Sequence, residues 1–350
     1  MLDLRSDTLT MPTQEMLRAM WASPVGDDGY GEDPTTNALE EYCADLFGKE
    51  EAVFMPSGTM SNQIALRLHT RPGDEIVVEE SYHLNTYESA PSADLAGVVV
   101  NPVRATDGLL TPDLILAAVD GKCRDPRYAQ VRMIGVENTI NYRSGRVVPL
   151  ASLHPIREFA QANGMAVHLD GARLFNAVVA TGTTAKEYAT TADTVSTCFA
   201  KGLGAPFGSV LVGPADLMRE ARYYRKSYGG ALHQCGHLAG AALYALRHNV
   251  ERLAEDHVTA RALAEALLGE PLLGVAIDEV QSNIVIVDVS NSGLTAQRLT
   301  ELAHDEGLLM VPISRYRVRF VTRMGISMSD VLTAAKIFCD LVDQHALPLR

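Results

Sequence analysis

The chain has 350 residues, 47% of them hydrophobic, enough to bury a sizeable core in one large domain with a smaller one attached. Its 43 acidic and 30 basic side chains leave a net charge of -13, which argues against a sequence-independent grip on nucleic acid, because that needs clustered Lys and Arg to displace counterions. No apolar run approaches the roughly 18 residues of a membrane span and the N-terminus Met1–Thr8 is charged, so no membrane partner and a cytoplasmic address are expected. The five cysteines, Cys43, Cys123, Cys198, Cys235 and Cys339, are far apart with no C-x-x-C pair, which predicts reduced thiols and neither a disulfide framework nor a metal site.

Short apolar runs alternate with longer amphipathic stretches. Runs at 52–55, 75–78, 97–100, 133–136, 166–169, 194–199 and 209–212 read as strands of a mostly parallel central sheet with helices on both faces. From about residue 235 the pattern changes. Cys235 to Glu265 reads as long helix, and strands at 283–288, 308–311 and 317–322 fall between helices at 295–304 and 329–344, which predicts a small α+β C-terminal domain. The division expected is 1–245 for the large domain, with the N-terminal segment contributing to the active site, and 246–350 for the small one.

Four segments carry residues suited to chemistry. The run Val53–Asn62 passes from a strand through Pro56 and Gly58 into an amphipathic stretch, so that helix-start N–H groups and the hydroxyls of Ser57 and Thr59 would suit a phosphate; an ordinary N-cap is the plainer alternative. His83 follows the strand 75–78, where its ring could stack on a flat cofactor or serve as a satisfied polar residue. Asp170 closes a buried strand, where an unpaired carboxylate is costly; its partner is either a pyridinium nitrogen or Arg173. Lys201 ends the apolar run Thr194–Phe199 and gives way to Gly202, Gly204 and Gly208, which would let backbone approach a ligand closely. A lysine for a Schiff base and an aspartate for the ring proton are what a pyridoxal 5'-phosphate (PLP) site requires.

Leu4–Thr8 (LRSDT), Gly26–Pro34 (GDDGYGEDP), Pro56–Thr59 (PSGT), Glu137–Thr139 (ENT), His168–Asn176 (HLDGARLFN), Lys201–Pro206 (KGLGAP) and Val318–Thr322 (VRFVT) together resemble the low-specificity L-threonine aldolases, in order along essentially the whole chain. The resemblance implies the aspartate aminotransferase fold, type I of the PLP-dependent transferase-like folds. It also implies cleavage of L-threonine, L-allo-threonine or a related β-hydroxy-α-amino acid to glycine and an aldehyde. By the same resemblance Lys201 would carry PLP, Asp170 would hold the pyridine nitrogen, His83 would cover the ring face, and Ser57, Gly58 and Thr59 would hold the phosphate. Ser6, Arg173 and Arg319 would bind the substrate carboxylate, Arg offering forked donors. Tyr30 and Lys226 match motifs that reach a neighbouring subunit's site, which implies a homo-oligomer, a tetramer built as a dimer of dimers. His233 stands where the family has an arginine near the phosphate.

Two further departures concern the substrate end. Where the family reads Glu-Asn-Thr-His-Asn the chain has Ile140, followed by Tyr142 and Arg143, and where the family has a histidine after Val-Thr it has Arg323. These changes leave His83 as the candidate base and point to a bulkier or differently charged substrate side chain, with Arg143, Arg323 and His233 as readers. β-Elimination, racemisation or transamination on the same scaffold, and a catalytically silent relative, remain open at the level of sequence.

Overall fold

The computed structural model describes residues 1–120 and 127–347; Cys123 lies outside them. Strands β1 (Leu2–Asp3) to β13 (Arg317–Val321) fall into three sheets. The largest has seven strands in the order β2 (Glu51–Met55), β8 (Ser209–Gly213), β7 (Thr194–Cys198), β6 (Ala166–Gly171), β5 (Val131–Glu137), β3 (Glu75–Glu79) and β4 (Val99–Val103). All neighbours are parallel except β8, which runs against both β7 and β2. One reversed strand restores β2 to the common direction, so the C-terminal ends of the six co-directional strands share one edge.

Alternation along the strands explains the layers, since successive side chains point to opposite faces. Val53, Met55 and Leu211 pack with Ile64 and Ala65 of the helix Gly58–His69 and with Met218 and Ala221 of the helix Ala215–Ser227. Ala52, Phe54, Val210 and Val212 join the opposite core with Leu39, Cys43 and Phe47 of the helix Pro34–Phe47. Every residue of β3, β7 and β8 is buried; Ile76–Val78 and Val210–Val212 are apolar runs, whereas on β7 Thr194 and Ser196 are buried with their hydroxyls hydrogen-bonded. At the margin, β4 carries Pro102, which lacks an N–H for a further neighbour and suits an edge.

The second unit is the four-stranded antiparallel sheet β12 (Val311–Pro312), β13, β10 (Ile284–Asp288) and β9 (Gly274–Val275). Helices Leu253–Leu267, Ala296–Asp305 and Met328–His345 share its core. The N-terminus belongs here too: β1 pairs in parallel with β11 (Leu308–Leu309), Leu4 lies in the small core, and Val321 N–H donates to Leu4 O at 2.8 Å. The chain then passes into the cleft between the units.

Three expectations are corrected. The strand expected at 308–311 is two, β11 paired with β1 and β12 paired with β13. The stretch 235–265 is two helices, Gly236–His248 and Leu253–Leu267, because Asn249 ends the first and its side chain donates to Leu203 O at 2.7 Å, turning the chain. The strand expected at 97–100 begins at Val99, since Gly97 has φ 70° and closes the preceding turn.

Candidate active site

The residues expected to carry chemistry leave the same edge of the large sheet. Gly58 and Thr59 follow β2, His83 follows β3, Thr139 and Asn141 follow β5, Asp170 lies near the end of β6, Cys198 ends β7 and Lys201 follows it. With Asn62, Glu88, Glu137, Ala172 and Arg173 they line one cleft of about 150 Å³. Ligands of open α/β sheets bind at such carboxyl ends, where loops converge and helix N-termini point inward.

Asp170 is buried and held by two donors, Asn62 Nδ2 at 2.8 Å and Ala172 N–H at 3.1 Å. The alternative Asp170–Arg173 pair is not formed. Arg173 turns instead to Asp7, which accepts Nε and Nη2 at 2.7 Å each, so that only the edge carrying Nη1 remains for a ligand. Burial opposes the Asp7 charge, but Arg173 and then Lys201 outweigh it and hold the carboxyl down at about 2.

Lys201 follows Phe199 into a loop of bends that returns through Gly208, and among the described residues its Nζ has no hydrogen-bond partner. Gly208, at φ 96°, has room for no side chain: a Cβ would lie 2.5 Å from the Phe54 ring. Gly58 is equally constrained, a Cβ there falling 2.6 Å from Cys198 Sγ. Ser57 is the N-cap, its Oγ accepting from Met60 N–H at 3.2 Å, and it is not part of the cleft lining; the cleft meets the helix at Gly58 and Thr59.

His83 is fixed from two sides. Its backbone N–H donates to Glu137 Oε2, and its Nδ1 meets Glu88 Oε1 at 2.6 Å. Glu88 is itself clamped, taking Asn62 Nδ2 at 2.9 Å on Oε1 and Gln63 Nε2 at 2.8 Å on Oε2. Donor atoms of His83, Glu88 and Asp170 lie within 4.8 Å of one another. Burial disfavours the imidazolium, yet the Glu88 bond and the fields of Asp170, Glu88 and Glu137 prevail and raise the His83 pKa. Beside it, burial and the neighbouring Asp170 push the Glu137 carboxyl up to about 7.

The remaining expected residues are dispersed. Ser6 Oγ caps the short turn Asp7–Leu9 by accepting from Thr8 N–H at 3.2 Å. Arg319 on β13 donates to Asn141 Oδ1 at 2.9 Å and to Arg5 O at 3.3 Å, which brings the small sheet to the rim. Tyr30, Lys226 and His233 are exposed, the last meeting Asp27 Oδ2 at 3.1 Å, and none lines this chain's cleft.

Sequence reasoning missed the buried polar residues Asn62, Glu88 and Asp7 and the pair Tyr87–Tyr142. Rings run outward from His83 to Tyr87 (centroids 4.9 Å apart) and on to Tyr142 (5.8 Å), while Ile140 is wholly buried. Arg317 donates to Tyr142 O at 3.0 Å and Arg143 to Ala105 O at 3.3 Å. Arg323 donates to its neighbour's carbonyl, Met324 O, at 3.2 Å and does not line the cleft.

A planar anionic ligand is a good match for these donors. Thr139 Oγ1 and Arg319 Nε are buried without a partner, Lys201 Nζ is unspent, and the close approach at Gly58 leaves backbone N–H groups bare at a helix start.

A family model described as Beta-eliminating lyase matches residues 3–291. Together with the sheet order and the cleft it defines an enzyme of the lyase class on the fold type I scaffold, a fold shared with a threonine aldolase structure from Leishmania major (TM-score 0.82, 20% identity, 98% of this chain and 100% of that one). The low specificity L-threonine aldolase of Escherichia coli (strain K12) is 40% identical over 336 residues, 96% of this chain and 97% of its own length. A probable low-specificity L-threonine aldolase of Arabidopsis thaliana is 40% identical over 332 residues, 94% of each. The chain belongs to the low-specificity L-threonine aldolase family, in which dependence on PLP is a general property.

Proposed function

We propose that this enzyme holds PLP on Lys201 and cleaves L-threonine, L-allo-threonine or a related β-hydroxy-α-amino acid to glycine and an aldehyde. The observation that supports this most is one cleft holding an unbonded lysine amine, a doubly held carboxylate and a histidine with one ring nitrogen spoken for. When bound, PLP supplies the electron-withdrawing ring that takes up the electrons of the breaking Cα–Cβ bond.

The chain's own residues do the rest. Asp170 would hold the proton of the ring nitrogen, and Gly58 and Thr59 would give backbone N–H groups to the phosphate. Arg173, through its remaining edge, and Arg319 clamp the substrate carboxylate, which orients Cα–Cβ for cleavage. Ser6 supports that end of the cleft. His83 would cover the ring face and receive the β-hydroxyl proton: with Nδ1 committed to Glu88, Nε2 is the nitrogen left to act as base.

In the assembly we assign Tyr30 and Lys226 to a neighbouring subunit's site in a tetramer, which their exposure supports, and His233 to the phosphate end in place of the family's arginine. A large unit to residue 245 and a small one from 246 is supported in outline by the two cores, which change over between Leu253 and Ala260, with Leu4 of the N-terminal segment joining the small one. We place the reaction in the cytoplasm, in keeping with the free thiols of Cys43, Cys198, Cys235 and Cys339. Among the described residues no helix is long and apolar enough to cross a membrane.

Incubating the purified protein and PLP with a panel of β-hydroxy amino acids, and identifying products by mass, tests the reading. Glycine plus aldehyde is expected. Pyruvate and ammonia, an inverted stereocentre, or a keto acid would replace it with elimination, racemisation or transamination.

A further inference from the structure

We infer that Asn62 is a positioning residue that couples the two halves of the cleft: its single amide nitrogen holds Asp170 and Glu88 side by side, and through Glu88 it fixes the His83 ring. The inference rests on the PLP reading for the role of Asp170 and goes beyond it in assigning Asn62 and Glu88.

Asn62 sits in the first turns of the helix Gly58–His69 and is 2% exposed. Its two amide hydrogens go to two different carboxylates, Asp170 Oδ2 at 2.8 Å and Glu88 Oε1 at 2.9 Å. Its Oδ1 accepts from Ser196 Oγ at 2.8 Å and meets His168 Nε2 at 3.1 Å. All four bonding positions of the amide are filled, and flipping it would set a carbonyl against two carboxylates, so the orientation is forced.

That orientation propagates. His168 Nε2 must donate to Asn62 Oδ1, and burial, opposed only in part by Asp170, lowers the His168 pKa to about 4, so the ring is neutral and its Nδ1 accepts from Thr194 Oγ1 at 2.9 Å. Thr194 Oγ1 then accepts from His69 Nε2 at 2.9 Å. Donors thus run in one direction from His69 beneath the sheet to the pair Asp170 and Glu88, and aligned donors polarise one another. Gln63, the next residue, closes the clamp on Glu88 Oε2. The charged and titratable groups facing His83 are Glu88 after its own short helix, Glu137 on β5, Asp170 on β6 and Tyr87. Of these, only Glu88 bonds the ring, and Asn62 joins Glu88 to Asp170.

The test compares the full-length protein with Asn62→Leu and Glu88→Gln by NMR titration of the His83 imidazole and by the dissociation constant for PLP. In Asn62→Leu both should change: the His83 midpoint falls by about one pH unit because Glu88 is no longer held against the ring, and PLP binding weakens roughly tenfold or more because Asp170 loses a donor. In Glu88→Gln the His83 midpoint should fall similarly, with PLP affinity within about threefold of wild type. A residue that only fills space would leave the titration unmoved. Wild-type values in Asn62→Leu, or a change in PLP affinity alone, would overturn the inference. Should Asn62→Leu fail to fold, an unchanged His83 midpoint in Glu88→Gln overturns it just as well. If the wild type binds no PLP the proposed function fails, while the titration still decides whether Asn62 and Glu88 govern His83.

Discussion

The Tyr142 hydroxyl donates to the Tyr87 hydroxyl at 2.9 Å, and the two rings extend the aromatic wall that begins at His83. Burial and Tyr87 raise the Tyr142 pKa while Arg319 and Arg317 oppose that rise, so the phenol stays protonated as a donor at the substrate end. Tyr142→Ala should therefore alter which side chains are accepted: the ratio of kcat/KM for an aromatic β-hydroxy amino acid to that for threonine changes by about 10-fold or more. Tyr142→Phe, which keeps the ring, should shift it far less. Equal ratios in wild type and Tyr142→Ala would remove these tyrosines from substrate selection.

Asp7 is fully buried against Arg173, so cutting the pair strands a guanidinium. Asp7→Ala is expected to cost about 3–5 kcal/mol in urea unfolding. The wild-type pair has a pH signature. Its folded pKa of about 2 lies below the unfolded value of 3.8, so its contribution is complete above about pH 4 and is lost as pH falls through 2. Linkage makes that pH-dependent part roughly 2 kcal/mol. It is smaller than the mutational cost, because protonating Asp7 leaves its oxygens in place whereas Ala removes them.

His83→Phe keeps a flat ring over the cofactor and deletes the base. Turnover of threonine should fall by about 10²–10⁴-fold while PLP remains bound. In the wild type the neutral imidazole is the active form, and the Glu88, Asp170 and Glu137 carboxylates raise its pKa above 6.5, so kcat/KM should climb as pH passes above that value. A flat profile from pH 6 to 8 would contradict this role for His83.

Gly58→Ala tests the phosphate end. The added methyl meets Cys198 Sγ, which is buried at the wall of the cleft, so the helix start or the thiol must shift. Overpacking of this kind costs about 1–3 kcal/mol, and PLP affinity should fall with it. In the double variant Gly58→Ala, Cys198→Ala, thermal stability and PLP affinity should recover in part.

The inner strands were legible because they are buried on both faces, a condition that the apolar runs of β3 and β8 report. Lys201, Asp170 and His83 were legible for a related reason: a charged or polar group at the end of such a run is held at the sheet edge. Asn62, Glu88 and Asp7 were not, because their partners are far away in sequence and a polar residue on a helix looks solvated until the fold buries it. The break at Asn249 was hidden by apolar spacing that stays helical across a turn fixed from outside, by Leu203. Ser57 caps the helix, as its N-cap position in the sequence allowed. The reversal of β8 left no trace in composition, since both of its faces are as apolar as those of its parallel neighbours.

The most direct measurement is chemical. The holoenzyme is treated with borohydride, which fixes PLP to any amine it is bonded to, then digested and mapped by mass spectrometry. A pyridoxyl-phosphate increment on the peptide carrying Lys201, absent from Lys201→Ala, is the predicted result. The label on another lysine, or on none, would contradict the account.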